Sequence, residues 1–293
     1  MLDPILAPIH SRDNALIKTL HRLAGDGAAY RKLGQVWLEG EHLLLAYLNT
    51  IKTEASQAGF TDQNSKNTPK NSAKIIVTQS HLPQMQALLH NQGFAAPPCP
   101  VQVVNDALLP AISSLETPAP MGLLLPCPAP STALQNTITK ANTVVLDRLQ
   151  DAGNVGAILR CAAAFGFRQI IAIKGTVALY SPKVLRAAMG AHFALQLHEL
   201  QEADASITTL QSLGLPLLAT SSHQGDWLHQ AQLPSPCAWL MGHEGQGLSA
   251  AWQQAATGHI RIWQASEESL NVATAAAICL HASAAQAMLE RRL

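Results

Sequence analysis

The chain has 293 residues, 48% apolar and 13% charged, a composition typical of folded globular proteins rather than of disordered ones. Basic and acidic residues balance to a net charge of zero, so a nucleic-acid site would need a local basic cluster rather than an overall field. The five cysteines are dispersed and no uncharged apolar stretch is long enough to cross a bilayer, so we expect a soluble, cytoplasmic protein without disulfides or a metal.

Residues 1–127 form a first region in which helices and strands are mixed. Apolar spacing at Ile17, Leu20 and Leu23 predicts an opening helix. Further strands are predicted at 35–38, 75–78, 101–104 and 121–125, and helices at 41–51 and 82–91. Basic residues surround the first helix and are candidate RNA contacts: Arg12, Lys18, Arg22 and Arg31.

A Pro-, Ser- and Thr-rich connector at 128–142 is the predicted boundary between two domains. From residue 143 onward short apolar strands alternate with helices. Strands are predicted at 144–147, 169–173, 194–198, 215–219, 237–241 and 259–263, and helices at 154–165, 182–189, 203–213, 250–256 and 270–289. This alternation predicts an α/β domain at 143–293 with a mostly parallel sheet covered on both faces. Ligands of such sheets bind beyond the carboxyl ends of the strands, so three loops matter most: 148–154, 242–249 and 264–271.

The first loop contains Asn154 and runs into a helix that carries Arg160. Asn154 is placed as a helix N-cap, which would explain it structurally. Arg160 follows Gly156 by one turn, and a long side chain in a helix lies back over the preceding turn. We therefore expect the guanidinium to lie beside the start of the helix, where the helix dipole favours anions, although a surface arginine is the simpler alternative.

The second loop, 241–249, contains three glycines and the carboxylate Glu244. Glycines let backbone amides and carbonyls approach a ligand closely. A tight strand-to-helix turn would explain one of the glycines but not all three. Gly242 and Gly247 are therefore candidate ligand-binding residues.

The third loop, 264–273, precedes a long alanine-rich helix. Ser266 or Ser269 could simply cap that helix. Asn271 falls in its predicted first turn, although asparagine is a weak helix former. Ser269 and Asn271 are therefore also candidate functional residues.

Together these motifs resemble the SpoU/TrmH-type RNA 2′-O-ribose methyltransferases. The resemblance rests on Asn-x-Gly-x-x-x-Arg at 154–160 with Phe165-Gly166 after it, on Gly-x-Glu-Gly-x-Gly at 242–247, and on Ser-Leu-Asn-Val at 269–272. The segment at 181–191 is also similar to the family. Residues 14–42 resemble the smaller α/β, ribosomal-protein-like substrate-binding domain often attached in front.

The resemblance implies a trefoil-knotted α/β domain that binds S-adenosylmethionine, works as a homodimer and methylates RNA, with ribosomal RNA favoured over transfer RNA. It implies catalytic roles for the polar residues of the motifs, which are Asn154, Arg160, Glu244, Ser269 and Asn271. It implies cofactor contacts, mostly through backbone atoms, at Gly242, Gly247, Ile262 and Leu270. Three residues depart from the family pattern: His243 stands for Asn, Ala188 for Ser and Trp263 for Pro.

Two other classes of protein compete with this interpretation. A dinucleotide-binding Rossmann enzyme should show GxGxxG after the first strand and an acidic residue after the second, and neither is present. A non-catalytic RNA-binding or ribosome-assembly factor on the same fold is opposed by the presence of all five candidate catalytic residues.

Overall fold

A computed structural model describes residues 5–57, 73–127, 138–221, 224–265 and 270–290. In chain order the strands are β1 (Ile5–Ile9), β2 (Gln35–Glu39), β3 (Lys74–Thr78), β4 (Val101–Val104), β5 (Met121–Pro126), β6 (Thr143–Asp147), β7 (Gln169–Ile173), β8 (Gln196–Leu200), β9 (Leu217–Thr220), β10 (Asp226–Trp227), β11 (Ala238–Gly242) and β12 (Gly258–Arg261). The helices are α1 (Ala15–Gly25), α2 (Ala29–Leu33), α3 (Glu41–Gln57), α4 (Leu82–Asn91), α5 (Ala152–Ala164), α6 (Pro182–Ala188), α7 (Ala203–Ser212), α8 (Ala250–Ala255) and α9 (Val272–Glu290).

The chain divides into two compact units. The first comprises Met1–Ala129 together with Tyr180–Phe193, and the second comprises Pro130–Leu179 and Ala194–Leu293. The segment Tyr180–Phe193, which includes α6, therefore groups with the first unit although it lies in the range 143–293 expected for the second domain. Residues 128–137 of the predicted connector lie outside the described residues.

The first unit is built on a mixed five-stranded sheet with the order β1-β4-β3-β5-β2. The segment Tyr180–Phe193 packs onto this unit through aromatic pairs, Tyr30 with Tyr180 and Tyr47 with Phe193, whose ring centroids are 5.5 and 5.8 Å apart. Gly190 has a φ of +87°, and a Cβ there would stand 2.5 Å from the Cβ of Ala46, so no larger residue fits. Ala188 is fully buried in the same unit, where an alanine needs no hydrogen-bond partner but a serine would.

The second unit is built on a seven-stranded, wholly parallel sheet with the order β10-β12-β9-β11-β6-β7-β8. Its central strands β6, β7, β9 and β11 are almost continuously apolar because both faces of the sheet are covered by helices. On one face the side chains of β6, β7, β9 and β11 pack with α7 and α8 around Trp252. On the other face α9 contacts α5 and β11, and the Nε1 of Trp239 donates to the hydroxyl of Ser283 on α9 at 2.9 Å. The predicted α/β class with a mostly parallel sheet is confirmed.

Helix α9 corrects one expectation from the sequence. It has 19 residues and a mean hydropathy of 1.5, so by length and composition alone it could span a membrane, although no such stretch was predicted. Its contacts with α5 and β11 are those of a core helix of a folded domain. Most of α9 is nevertheless not fully buried, and Ile278, Met288 and Leu289 are exposed.

A histidine is buried on the edge strand β8 of the second unit. His198 is 3% exposed, pairs with Ile171 of β7 in the sheet register, and neither of its ring nitrogens has a hydrogen-bond partner among the described residues. Burial lowers the pKa of His198 from 6.5 to about 4. The unfolded chain therefore takes up this proton at a higher pH than the folded protein does.

We expect the free energy of unfolding to hold its full value above about pH 6.5 and to fall by up to ~3 kcal/mol as the pH drops toward 4. His198→Leu should be at least as stable as the wild type at pH 7.5, because no unpaired polar ring is buried, and should lose less stability below pH 6.5. Urea denaturation between pH 4.5 and 7.5 measures both. Exposed His229, replaced by Leu, is the control; equal pH slopes for His198→Leu and wild type would contradict the prediction.

Candidate active site

The site is assembled at the carboxyl edge of the parallel sheet, around the end of β6. The carboxylate of Asp147 is buried, accepts the backbone N–H of Ser249 at 2.6 Å and pairs with the Nε of Arg148 at 3.3 Å. Arg148, at a φ of +63°, donates in turn to the side chain of Gln246 at 3.0 Å and to the carbonyl of Gly247 at 3.2 Å. Asp147 and Arg148 thus fasten the second loop to the sheet.

Sequence reasoning did not single out either residue of this pair. The available signal was an aspartate closing the apolar strand 143–147, since a buried carboxylate must be paired. Asp147 and Arg148 support the second loop but do not line the cavity.

The second loop closes on itself as a tight turn after β11. His243 and Gly247 exchange two backbone hydrogen bonds of 3.1 and 2.8 Å, and the Nδ1 of His243 accepts the backbone N–H groups of Gly245 and Gln246 at 3.0 and 3.2 Å. Nδ1 must therefore be the unprotonated nitrogen of this ring. An asparagine side-chain oxygen could accept the same bonds, which gives the departure at His243 a structural reason.

Gly242 is the position where this turn leaves no room for a side chain. A Cβ at Gly242 would stand 2.4 Å from the carbonyl carbon of Gly247 and 2.4 Å from the nitrogen of Leu248. These are backbone atoms, which cannot move aside as a flexible side chain could. The close approach of the loop's two ends therefore requires glycine.

Three of the predicted residues, one from each loop, meet in a chain of hydrogen bonds. The Nδ2 of Asn154 donates to the carboxylate of Glu244 at 3.2 Å, and the Nδ2 of Asn271 donates to the Oδ1 of Asn154 at 2.9 Å. The carboxylate of Glu244 also accepts the backbone N–H of Asp151 at 3.3 Å. We call Glu244, Asn154 and Asn271 the polar relay.

The carboxylate of the relay is held in its ionised form. Partial burial alone would raise the pKa of Glu244, but hydrogen bonds from its own backbone, from Asn154 and from the backbone of Asp151 and Gln150 lower that pKa below 4.5. A carboxylate with a lowered pKa and several donors is a weak base. Glu244 is therefore suited to positioning the loops and presenting a negative charge.

Two helix caps differ from those predicted. Asp151, not Asn154, caps α5, since its side chain accepts the backbone N–H of Asn154 at 2.7 Å. Helix α9 begins at Val272, and Asn271 is its cap rather than a residue of its first turn; its Oδ1 accepts the backbone N–H of Ala273 at 2.9 Å. Asn154 therefore does not cap α5. Asn271 both caps α9 and takes part in the polar relay. Ser266 and Ser269 lie outside the described residues.

A cavity of about 500 Å³ lies beside the relay, within the usual size range of ligand pockets. Gly242, Gly247 and Leu270, three of the four predicted cofactor contacts, line it, whereas Ile262 follows β12 and is not among the lining residues. Contact of these four residues with a cofactor stays a prediction. The other lining residues come from β9, the second loop and the start of α9: Thr220, His243, Glu244, Leu248, Asn271, Val272 and Ala275. Backbone groups and one ionised carboxylate suit a ligand with hydrogen-bonding edges and a positive centre.

Arg160 is exposed on α5 and makes no hydrogen bond or ion pair with any described residue. A guanidinium with no partner among the described residues can bind an external anion. In the first unit Arg12 and Arg22 are also exposed, while Lys18 pairs with Asp13 at 3.0 Å and Arg31 lies over the ring of Tyr30. The RNA contacts predicted for these four residues remain a prediction.

Known proteins share the sequence motifs and the fold of this chain. The sequence profile of the SpoU rRNA Methylase family matches residues 141–281. An uncharacterized tRNA/rRNA methyltransferase of Synechocystis sp. is 31% identical over 94% of this chain and 93% of that protein, and the 23S rRNA (guanosine-2′-O-)-methyltransferase of Pseudomonas putida is 30% identical over 74% and 81%. A solved structure, a TrmH-family RNA methyltransferase from Porphyromonas gingivalis, has a TM-score of 0.72 at 26% identity over 92% of this chain and 97% of that one.

The chain belongs to the SpoU rRNA methylase family. The resemblance seen in the three motifs is thereby confirmed.

Substitution of Glu244 tests whether its carboxylate positions the loops or takes part in the methyl-transfer reaction. Glu244→Gln replaces an acceptor of backbone N–H groups by an amide that also donates, so we expect methyl-donor affinity to fall about tenfold, as for loss of a charge-assisted hydrogen bond. We expect kcat at saturating donor to change much less. Calorimetry and initial rates separate the two effects, and Asp204→Asn, an exposed carboxylate on α7, is the control. A reduced kcat with unchanged donor affinity would make Glu244 a catalytic group instead.

Proposed function

We propose that this protein transfers the methyl group of S-adenosylmethionine to a ribose 2′-hydroxyl of ribosomal RNA. The observation that carries the proposal is the polar relay beside a glycine-lined cavity, in a chain of the SpoU rRNA methylase family. The relatives named for ribose 2′-O-methylation of 23S rRNA favour ribosomal over transfer RNA. A cytoplasmic location, with reduced cysteines, is part of the same proposal.

The cavity would hold the cofactor, which supplies a methyl group on a positively charged sulfur. Gly242, Gly247 and Leu270 would contact it through backbone atoms, and the ionised Glu244 would favour its positive centre. The relay would keep the first and third loops at a fixed distance from the second, so that the 2′-oxygen lines up with the methyl group. Ser269 and Asn271 would orient the nucleotide.

Arg160 would act on the RNA rather than as a base. A guanidinium keeps its proton at physiological pH, so it cannot accept one from the ribose. It can bind the phosphate next to the target ribose and stabilise negative charge that develops on the 2′-oxygen. Because Glu244 is also a weak base, the hydroxyl proton would pass to solvent.

The protein would work as a homodimer through α9. A helix that is apolar on all sides is normally buried, yet Ile278, Met288 and Leu289 of α9 are 37, 51 and 59% exposed. A second copy covering this face would remove that surface from water. Sedimentation equilibrium of the purified full chain tests this by giving the mass in solution.

Mapping of 2′-O-methylation across total RNA, from cells with and without the gene, tests the reaction and its substrate together. The expected result is loss of a ribosomal RNA methyl group that purified protein and S-adenosylmethionine restore. An unchanged ribosomal pattern with a lost transfer-RNA methyl group would select the alternative substrate. Cofactor-independent RNA binding without any methyl transfer would instead select the non-catalytic assembly factor.

A further inference from the structure

One aromatic side chain that follows β12 is largely exposed to solvent. Trp263 is 65% exposed, more than any other large apolar residue that the structure describes. Trp37, Trp239 and Trp252 are buried in the cores of the units. Burial of an indole ring would contribute favourable free energy, and the exposed ring of Trp263 does not gain it. Contact with a partner from outside the chain would bury this ring.

The end of the strand that precedes Trp263 carries a cationic and aromatic pair of side chains. It stands two residues after Arg261, the last residue of β12, and Arg261 is paired with Trp227 of β10 in the sheet register. The guanidinium of Arg261 lies 4.0 Å from the centroid of the Trp227 ring, and its Nε donates to the carbonyl of Gly225 at 2.9 Å. The ring of His229 stacks near Trp227 at 6.3 Å. The carboxyl ends of β10 and β12 therefore present a cationic and aromatic surface, and Trp263 follows this surface by two residues along the chain.

This surface flanks the cavity at the same edge of the sheet. β12 lies between β10 and β9 in the strand order, and Thr220, the last residue of β9, lines the cavity. Parallel strands end at one edge, so Trp263 follows the strand adjacent to the cavity wall. Trp263 itself is not a lining residue, which separates it from the proposed cofactor position.

We propose that Trp263 is a base-stacking residue that receives an unpaired nucleobase of the RNA substrate next to the ribose being methylated. The inference rests on the proposed function and extends it to the conformation of the RNA. Sequence-tolerant recognition of unpaired RNA uses aromatic rings and arginine planes on which bases stack, and Trp263 with the Arg261–Trp227 pair presents both.

Three variants of Trp263 distinguish stacking from apolar bulk. Trp263→Ala and Trp263→Leu lack an aromatic face, whereas Trp263→Phe keeps one. The affinity of the full-length protein for a fluorescent, mixed-sequence, single-stranded RNA 12-mer is measured by anisotropy, with S-adenosylmethionine affinity measured by calorimetry on the same samples. We expect RNA affinity to fall about tenfold in the Ala and Leu variants, to be largely kept in the Phe variant, and cofactor affinity to be unchanged in all three.

Any of the following results would overturn the inference. Equal RNA affinity in all variants means that the ring does not contact RNA, and a weakened cofactor affinity assigns the ring to the cofactor. A change from dimer to monomer in Trp263→Ala, by sedimentation, assigns it to a protein interface. Methyl transfer to ribosomal RNA by the wild type is scored separately, so that a failure of the proposed function is not mistaken for a failure of this inference.

Discussion

Gly242→Ala is expected to weaken binding of the methyl donor strongly by distorting the proposed donor site. The added Cβ would stand 2.4 Å from two backbone atoms of residues 247 and 248, so the ends of the second loop must separate. Such overpacking costs about 1–3 kcal/mol or more, and the loop that moves is the one that lines the cavity. We expect donor affinity to fall roughly 10- to 100-fold or beyond, measured by calorimetry with S-adenosylmethionine.

Gly245→Ala is the matched control in the same loop. A Cβ at Gly245 would approach only the ring of His243, at 3.9 Å, an ordinary van der Waals distance. We expect donor affinity within about threefold of the wild type, since surface substitutions of this kind change stability little. The close-packing argument would be refuted if both variants lost the same donor affinity. It would also be refuted if Gly242→Ala kept wild-type donor affinity and a normal melting temperature.

Arg160→Ala is expected to lower kcat about 100- to 1,000-fold while leaving donor affinity unchanged. The expected size is that of removing one preorganised donor that stabilises a developing negative charge. Arg160→Lys keeps the charge but loses two-pronged binding of a phosphate, so an intermediate loss of about tenfold is expected. Single-turnover rates with labelled donor and ribosomal RNA measure both variants.

Arg168→Ala provides the comparison for removal of an exposed arginine. Arg168 is exposed and precedes β7, so it lies at the amino edge of the sheet, opposite the cavity. We expect it to retain wild-type rates. Full turnover in Arg160→Lys would show that the two-pronged phosphate contact is not needed, and a loss of donor affinity in Arg160→Ala would place the residue in the cofactor site.

The fold of the second unit was largely predictable because its strands are short apolar runs between helices. β7 was predicted with its actual bounds, Gln169–Ile173. The strand predicted at 194–198 is instead β8 at Gln196–Leu200, since Ala191–Ala194 forms a 3₁₀ turn whose apolar residues mimic a strand start. β1, at Ile5–Ile9, was missed because its middle residues are exposed and its sequence does not alternate between apolar and polar residues.

The sequence predicted which residues form the site better than it predicted the hydrogen bonds between them. Motif spacing brought Asn154, Glu244 and Asn271 to one sheet edge, but which side chain caps a helix depends on turn geometry that spacing does not specify. Asp151 took the cap assigned to Asn154. The role of Asp147 and Arg148 was not foreseen because it depends on a positive φ and on contacts about 100 positions away along the chain.

The division of the chain into two units depends on tertiary contacts that composition does not encode. A proline-rich connector suggests one boundary, yet Tyr180–Phe193 leaves the second unit and returns to the first. Its signal in the sequence was only a short apolar helix with flanking aromatic residues. Packing of Tyr180 and Phe193 against tyrosines of the first unit determines where it belongs.

The hydrogen bond between Asn271 and Asn154 has a consequence for how the enzyme is made. It joins residues 117 positions apart, and contacts of such separation form late because a long loop must first be closed. On the ribosome, the first loop is synthesised well before the residue that completes the relay. The nascent chain therefore completes the polar relay only when the start of α9 has emerged, so binding of S-adenosylmethionine at the proposed site would report that the first and third loops have come together.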